Sequence, residues 1–256
     1  MCLVVFAHNS HSNYKFIFAA NRDEFYDRPT EQADFWKEDP NLLAGKDLKA
    51  GGSWMGITKS GKFAAITNYR DLSNIKESAP TRGLLVTDYL MGNLSPKDYY
   101  RKVKNDLSNY NGFNLILGDI NNLYYFSTHT GGLKKINTGT HGLSNAVLDT
   151  PWPKVEKSKK QLSKLMRNKE LHAWELLSLL GDTRRAKEKD LPDTGVGVEW
   201  EEVLSSVFIQ SPNYGTRCST AILVDNNNNV RFAEKTFFGS QGAFSNKDYN
   251  FKIEEN

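Results

Sequence analysis

The sequence has only two cysteines, Cys2 and Cys218, in 256 residues. That scarcity excludes a disulfide framework and a cysteine-rich zinc site, and leaves open a single bridge between the two. No stretch approaches the ~18 continuous apolar residues that a membrane span needs. The opening MCLVVFAHNSH lacks both the basic start and the apolar length of a secretory signal. These absences predict a soluble, cytoplasmic protein with no transmembrane segment. Charge of one sign is lacking too: 33 basic and 30 acidic residues, net +3, are scattered along the chain, so nothing favours nucleic acid as a partner. There is no Cys-x-x-Cys-His, and His8, His11, His129, His141 and His172 share no ligand spacing, so neither a metal nor a resident cofactor is expected. No Pro-, Gly- or Ser-rich linker and no repeat interrupts the chain, which predicts one domain over 1–256.

What is present is a set of short apolar runs that pair as hairpins. Cys2–Ala7 faces Phe16–Ala20 across a polar turn, Trp54–Thr58 faces Phe63–Asn68 across Lys59-Ser60-Gly61, and Ser219–Asp225 faces Val230–Phe237 across four asparagines. Asparagine tolerates the left-handed backbone that tight turns demand. Further strands are predicted at Phe113–Gly118 and Leu123–Ser127. CLVVFA, FIFAA and STAILV are apolar at consecutive positions, so both faces of these strands are expected to be covered. Helical patterning appears at Thr81–Met91, at Ser95–Leu107 with Ser95 as N-cap and Pro96 in the first turn, at Val155–Met166 and at Leu171–Leu180. Two packed sheets with helices outside them satisfy this pattern, an α+β class. Thr183–Gly197 reads as a long surface loop, either a lid or a tolerated insertion. Lys154–Glu170 carries seven basic residues against two acidic ones and reads as a solvated outer helix.

Cys2 concentrates the chemistry. If Met1 is removed, one residue supplies a thiol nucleophile and a free amine, whose ordinary pKa of about 7.7–8.0 suits a general base at neutral pH. Counting back from the first turn, with residue 8 opposite 14, places Arg22 diagonally across from Cys2. There its guanidinium would lower the thiol pKa, with Asp23 and Glu24 competing for it. Taken alone, Asn21-Arg22-Asp23-Glu24 reads rather as closing a strand with a surface ion pair worth little. The second hairpin brings Asn68 near Gly51-Gly52, an amide beside bare backbone N–H groups as an oxyanion site requires, although a simple bulge fits the glycines as well. Asn145 is a second amide candidate. Trp54, next to Gly52, is the tryptophan placed to line a pocket.

Linked together, MCLVVFA, ANRDEFYDRPT, AGKDLKAGGSWMGI, AAITNYRD, TRGLLV, YNGFNLILGD, GLSNAVLDTPWPK and YGTRCSTAILV resemble the NRDE family, also called the transport and Golgi organization 2 family, from residue 1 to about 225. The resemblance implies an αββα four-layer sandwich similar to N-terminal nucleophile hydrolases such as penicillin V acylase and bile salt hydrolase. It maps Cys2 to the nucleophile, Arg22 to the nearby arginine, and Asn68 and Asn145 to the oxyanion asparagines. Asp23 directly follows Arg22, a closer spacing than in the hydrolases, and Arg217 matches them less well. It implies hydrolysis of an amide or thioester bond in a small acylated substrate, with Gly51, Gly52 and Trp54 lining its site. Animal members are linked to haem and lipid handling, which implies the alternative of a binding or trafficking protein for haem, acyl-CoA or lipid.

Overall fold

The computed structural model describes residues 2–239 and 242–254; Met1 lies outside them. In chain order the elements are β1 (Cys2–His8), β2 (Tyr14–Phe25), β3 (Thr30–Phe35), β4 (Leu42–Asp47), β5 (Met55–Thr58) and β6 (Lys62–Asn68), then α1 (Gly83–Met91) and α2 (Pro96–Val103). Next come β7 (Phe113–Asp119), β8 (Asn122–Ser127), β9 (Thr130–Lys135) and β10 (Gly139–Leu143), followed by α3 (Pro153–Leu165), α4 (Ala173–Leu179) and α5 (Val198–Leu204). The hairpin β11 (Tyr214–Asp225) and β12 (Asn229–Phe238) leads to β13 (Ala243–Lys252).

Two antiparallel sheets result, one in the order β10-β1-β2-β11-β12-β13 and the other β3-β4-β5-β6-β7-β8-β9. The consecutive apolar runs explain why they stack. Successive side chains of a strand point to opposite faces, so Val4, Phe6, Phe16 and Phe18 meet Ile57, Phe63 and Ile116 of the other sheet. Val5, Ala7, Ile17 and Ala19 face outward onto Leu162, Leu176 and Leu180 of the α3–α4 layer. Leu85, Tyr89, Tyr99 and Val103 of α1 and α2 cover the outer face of the second sheet. The four layers are helix, sheet, sheet, helix. No helix among the described residues is long and apolar enough to cross a membrane.

The first hairpin departs from its expected register. It pairs His8 with Phe16 and Cys2 with Arg22, two residues along from the predicted alignment. Asn9 takes a left-handed φ of 49° and its N–H bonds the Lys15 carbonyl, lengthening the turn. A shift of two preserves the faces, so Arg22 becomes the direct rather than the diagonal neighbour of Cys2. β2 also continues through Asn21-Arg22-Asp23-Glu24 instead of ending there. The second hairpin keeps its register, Met55 opposite Ala65, and the third turns at Asn228 with φ 69°. Ser95 caps α2 by accepting from the Asp98 N–H, and α2 ends at Val103, short of the predicted Leu107. Lys154 overturns the picture of a wholly solvated basic helix: it is 3% exposed.

Candidate active site

β1, β2 and the loop before β5 build one cavity of about 260 Å³, and Cys2, Arg22, Trp54 and Asn68 all line it. Cys2 opens β1, between β10 and β2, and its carbonyl accepts a hydrogen bond of 3.0 Å from Ser144 Oγ. Arg22 lies opposite it, 5% exposed. Its guanidinium stacks 4.3 Å from the Trp54 ring and bonds Thr30 Oγ1 at 3.2 Å and Asp47 Oδ2 at 3.4 Å. Asp47 also accepts from Arg28 Nε at 2.7 Å. Asp23 and Glu24 therefore do not hold Arg22: Asp23 sits on the other face of β2, and Glu24 lies 3.8 Å from Arg28. Burial of Arg22 and Asp23 also rules out the surface ion pair.

The electrostatics at Cys2 run against the expected thiol activation. Burial pushes the thiol above its ordinary pKa, the Asp23 charge adds to this, and the pull of Arg22 is smaller. The guanidinium is shared with Asp47, Thr30 and the Trp54 face, which spreads its charge. The resting thiol is therefore protonated near neutral pH. Cys218 lies opposite Arg22 on the other side, buried, with its thiol pushed well up by burial and by Glu234. Two strand spacings of ~4.8 Å separate the cysteines, beyond the Cα separation of a disulfide, and both are free.

The remaining predicted residues divide. Asn68 is exposed at the cavity wall, and its side-chain amide has no hydrogen-bond partner among the described residues. Asn145, 2% exposed, stands behind it and donates 2.8 Å to the Asn68 carbonyl. Asn145 lines the adjoining cavity, not the one at Cys2. Gly51 and Gly52 are outside the lining of both. Gly51 makes a turn at φ 80°, and Gly52 lies so close to the Gly83 backbone that a side chain would collide with it. Neither supplies an N–H to this cavity, and the bulge is instead a loop packed on the start of α1. Arg217, a bulged residue of β11, turns its guanidinium to the carbonyls of Phe25 (2.7 Å) and Arg28 (3.0 Å), away from Cys2.

Several residues went unforeseen. Arg82, just before α1, lines both cavities and donates to the Gly112 carbonyl at 2.9 Å. The second cavity, about 670 Å³, shares Glu24, Asn68, Arg82 and Asn111 with the first. Its apolar wall comes from Phe25, Leu72, Ile75, Val196, Trp200 and Leu204, so the Thr183–Gly197 loop contributes Gly195 and Val196 to it. That loop is tied down where Glu201 accepts from the Thr194 N–H and pairs with Arg70 at 2.7 Å. Asp23, by contrast, is among the predicted residues: it lines the Cys2 cavity, is 1% exposed, accepts 2.7 Å from Thr216 Oγ1, and burial raises its pKa to about 6. No grouping of three or more metal-ligating side chains occurs among the described residues.

Comparison with known proteins fits this architecture. The family model "Transport and Golgi organisation 2" matches residues 1–239. The Transport and Golgi organization protein 2 homolog of Bos taurus is 37% identical over 261 residues, 94% of each chain. The Homo sapiens homolog is 36% identical over 276 residues, 99% of this chain and 100% of its own. A mutant of the conjugated bile acid hydrolase from Clostridium perfringens superposes with a TM-score of 0.51 at 10% identity, covering 100% of this chain and 98% of that one, a likeness of fold. By sequence over almost its full length, with a sandwich similar to that of N-terminal nucleophile hydrolases, the chain belongs to the transport and Golgi organisation 2 family.

Proposed function

We propose that the chain hydrolyses the carbon–nitrogen amide bond, or the thioester, of a small acylated substrate, with Cys2 as nucleophile once Met1 is removed. The observation that carries this is the shared cavity in which Cys2 stands opposite Arg22 and beside Asn68. A thiol held protonated by burial needs a base at hand, and an α-amino group on the same residue meets that need without any further side chain. The amine takes the S–H proton as sulfur bonds to the carbonyl carbon. The Asn68 amide donates to the developing oxyanion, with Asn145 holding the Asn68 backbone in place. The ammonium then returns the proton to the leaving amine or thiol, and water, deprotonated by the same amine, releases the acid from the thioester. The apolar cavity next door suits the acyl chain. Incubation with an activated acyl probe is expected to label Cys2, and labelling that persists undiminished in Cys2→Ala would overturn the assignment.

A second reading takes its support from the same apolar cavity, which is the larger of the two and needs no thiol to hold a ligand. On it the chain binds haem, an acyl-CoA or a lipid without turnover. Calorimetric titration with each ligand at micromolar concentration separates the two: saturable binding unaffected by Cys2→Ala, with no product formed, favours the binder.

A further inference from the structure

Four arginines stand in the walls of the two cavities: Arg22 and Arg28 beside Cys2, Arg70 in the apolar cavity, and Arg82 in both. Three of them are neutralised in place. Arg22 and Arg28 share Asp47, Arg28 also has Glu24 at 3.8 Å, and Arg70 pairs with Glu201 at 2.7 Å. Arg82 has no carboxylate within salt-bridge distance among the described residues, and its guanidinium makes one hydrogen bond there, from Nη1 to the Gly112 carbonyl. The same carbonyl accepts from the Tyr69 N–H at 2.9 Å, which ties Arg82 to the end of β6 that carries Asn68. Arg82 is thus a half-buried cation held at the seam of the two cavities. Its Nε and Nη2 have no partner among the described residues, and they form the side of the fork that takes an oxyanion through two parallel bonds.

The apolar half of the seam is equally specific. Phe25, Leu72, Ile75 and Trp200 are all exposed large apolar side chains, and all four line the one cavity of about 670 Å³. Exposed hydrocarbon gathered in a concavity marks a ligand groove, and pockets for small ligands run to ~300–1,000 Å³. A ligand that uses both features has one hydrocarbon arm and one anionic end. Two carboxylates share the wall, Glu24 beside Arg28 and Asp71 held by Ser73, Asn74 and His129. They disfavour a doubly charged head such as a phosphate, whereas a planar, singly charged carboxylate matches a single guanidinium.

We propose that the apolar cavity binds a free long-chain carboxylate, its two oxygens on Arg82 and its hydrocarbon along Phe25, Leu72, Ile75 and Trp200. This rests on the reading that the cavity takes an acyl chain. The acid that the proposed hydrolysis at Cys2 releases is itself such a ligand, so the site retains the product acid and makes it a competitive inhibitor.

Isothermal titration of the full chain with decanoate and with decanol, below their aggregation limits, separates charge from chain. Decanoate is expected to bind saturably and about tenfold or more tighter than decanol. Arg82→Gln brings the acid down to the affinity of the alcohol, Arg82→Lys recovers part of the difference, and Trp200→Ala weakens acid and alcohol by a similar factor. Decanoate labelled with carbon-13 at its carboxyl is expected to titrate lower when bound to the native chain than when free, because the guanidinium favours its ionised form. Decanol binding as tightly as decanoate, or decanoate binding unchanged in Arg82→Gln, overturns the Arg82 seat while leaving the cavity as a place for an acyl chain. No binding of either ligand overturns both. Should Arg82→Gln fail to fold, the ratio of acid to alcohol and the carboxyl titration on the native chain decide by themselves. None of these measurements needs turnover, so failure of Cys2 to acylate remains a separate result.

Discussion

Asp47 shows how the cavity is held at the level of single residues. It accepts from both Arg22 and Arg28, and Arg22 is buried. Asp47→Asn leaves a buried guanidinium without its carboxylate, and the expected loss is about 3 kcal/mol of unfolding free energy by chemical denaturation. A loss near zero would mean that Trp54 and Thr30 alone satisfy Arg22. Asp23 supplies a pH signature. Its pKa is raised in the folded chain from 3.8 to about 6, so between those values the native state binds more protons than the unfolded one. Stability contributed by Asp23 is therefore greatest at low pH and declines as pH rises toward 6. Denaturation curves of Asp23→Asn across that window should lack this decline relative to the native chain. An identical pH dependence would contradict a buried, protonatable Asp23. Residue types made Cys2 and Arg22 legible in the sequence, because a thiol beside the chain start and an arginine on the partner strand are local facts. Lys154 was hidden, since six other basic residues nearby made it look solvated, and only the packing of α3 against β1 and β10 separates it from them.

Elements carried most of what the sequence could tell. The paired apolar runs located β1, β2, β5 to β8, β11 and β12, and the Ser95-Pro96 signal located the start of α2. β13 escaped because AFSNKDYNFK alternates exposed polar residues along a sheet edge, so almost nothing in it is fully buried. β3 escaped for a related reason: TEQADF has only Ala33 fully buried, and its register with β4 is irregular between Glu31 and Asp34. The loop between β4 and β5 was legible as glycine-rich but not as a helix contact. Gly52→Ala forces that loop off the Gly83 backbone, and the expected cost is about 1–3 kcal/mol in thermal or chemical unfolding. Native-like stability would show that the loop relaxes freely.

At the scale of the molecule, the sandwich depends on side chains shared between sheets. Phe63 of β6 meets both Phe16 and Phe18 of β2 edge-on, with ring centroids 4.9 Å apart in each pair. Phe63→Ala opens a cavity between the layers, and about 3–5 kcal/mol of stability should be lost, read from the urea midpoint at unchanged m-value. The four-layer order was inferable from consecutive apolar runs that demand cover on both faces. The joining of the two cavities was not, because it brings together the ends of β2 and β6, the segment before α1 and the loop leading into α5, which no local pattern relates. Intact-mass spectrometry with peptide mapping, before and after exposure to an activated acyl ester, tests the proposed catalytic role of Cys2 most directly. The expected result is a chain lighter by one methionine that gains a single acyl group on the Cys2 sulfur. A chain that retains Met1, or an adduct found elsewhere while Cys2 stays free, contradicts it.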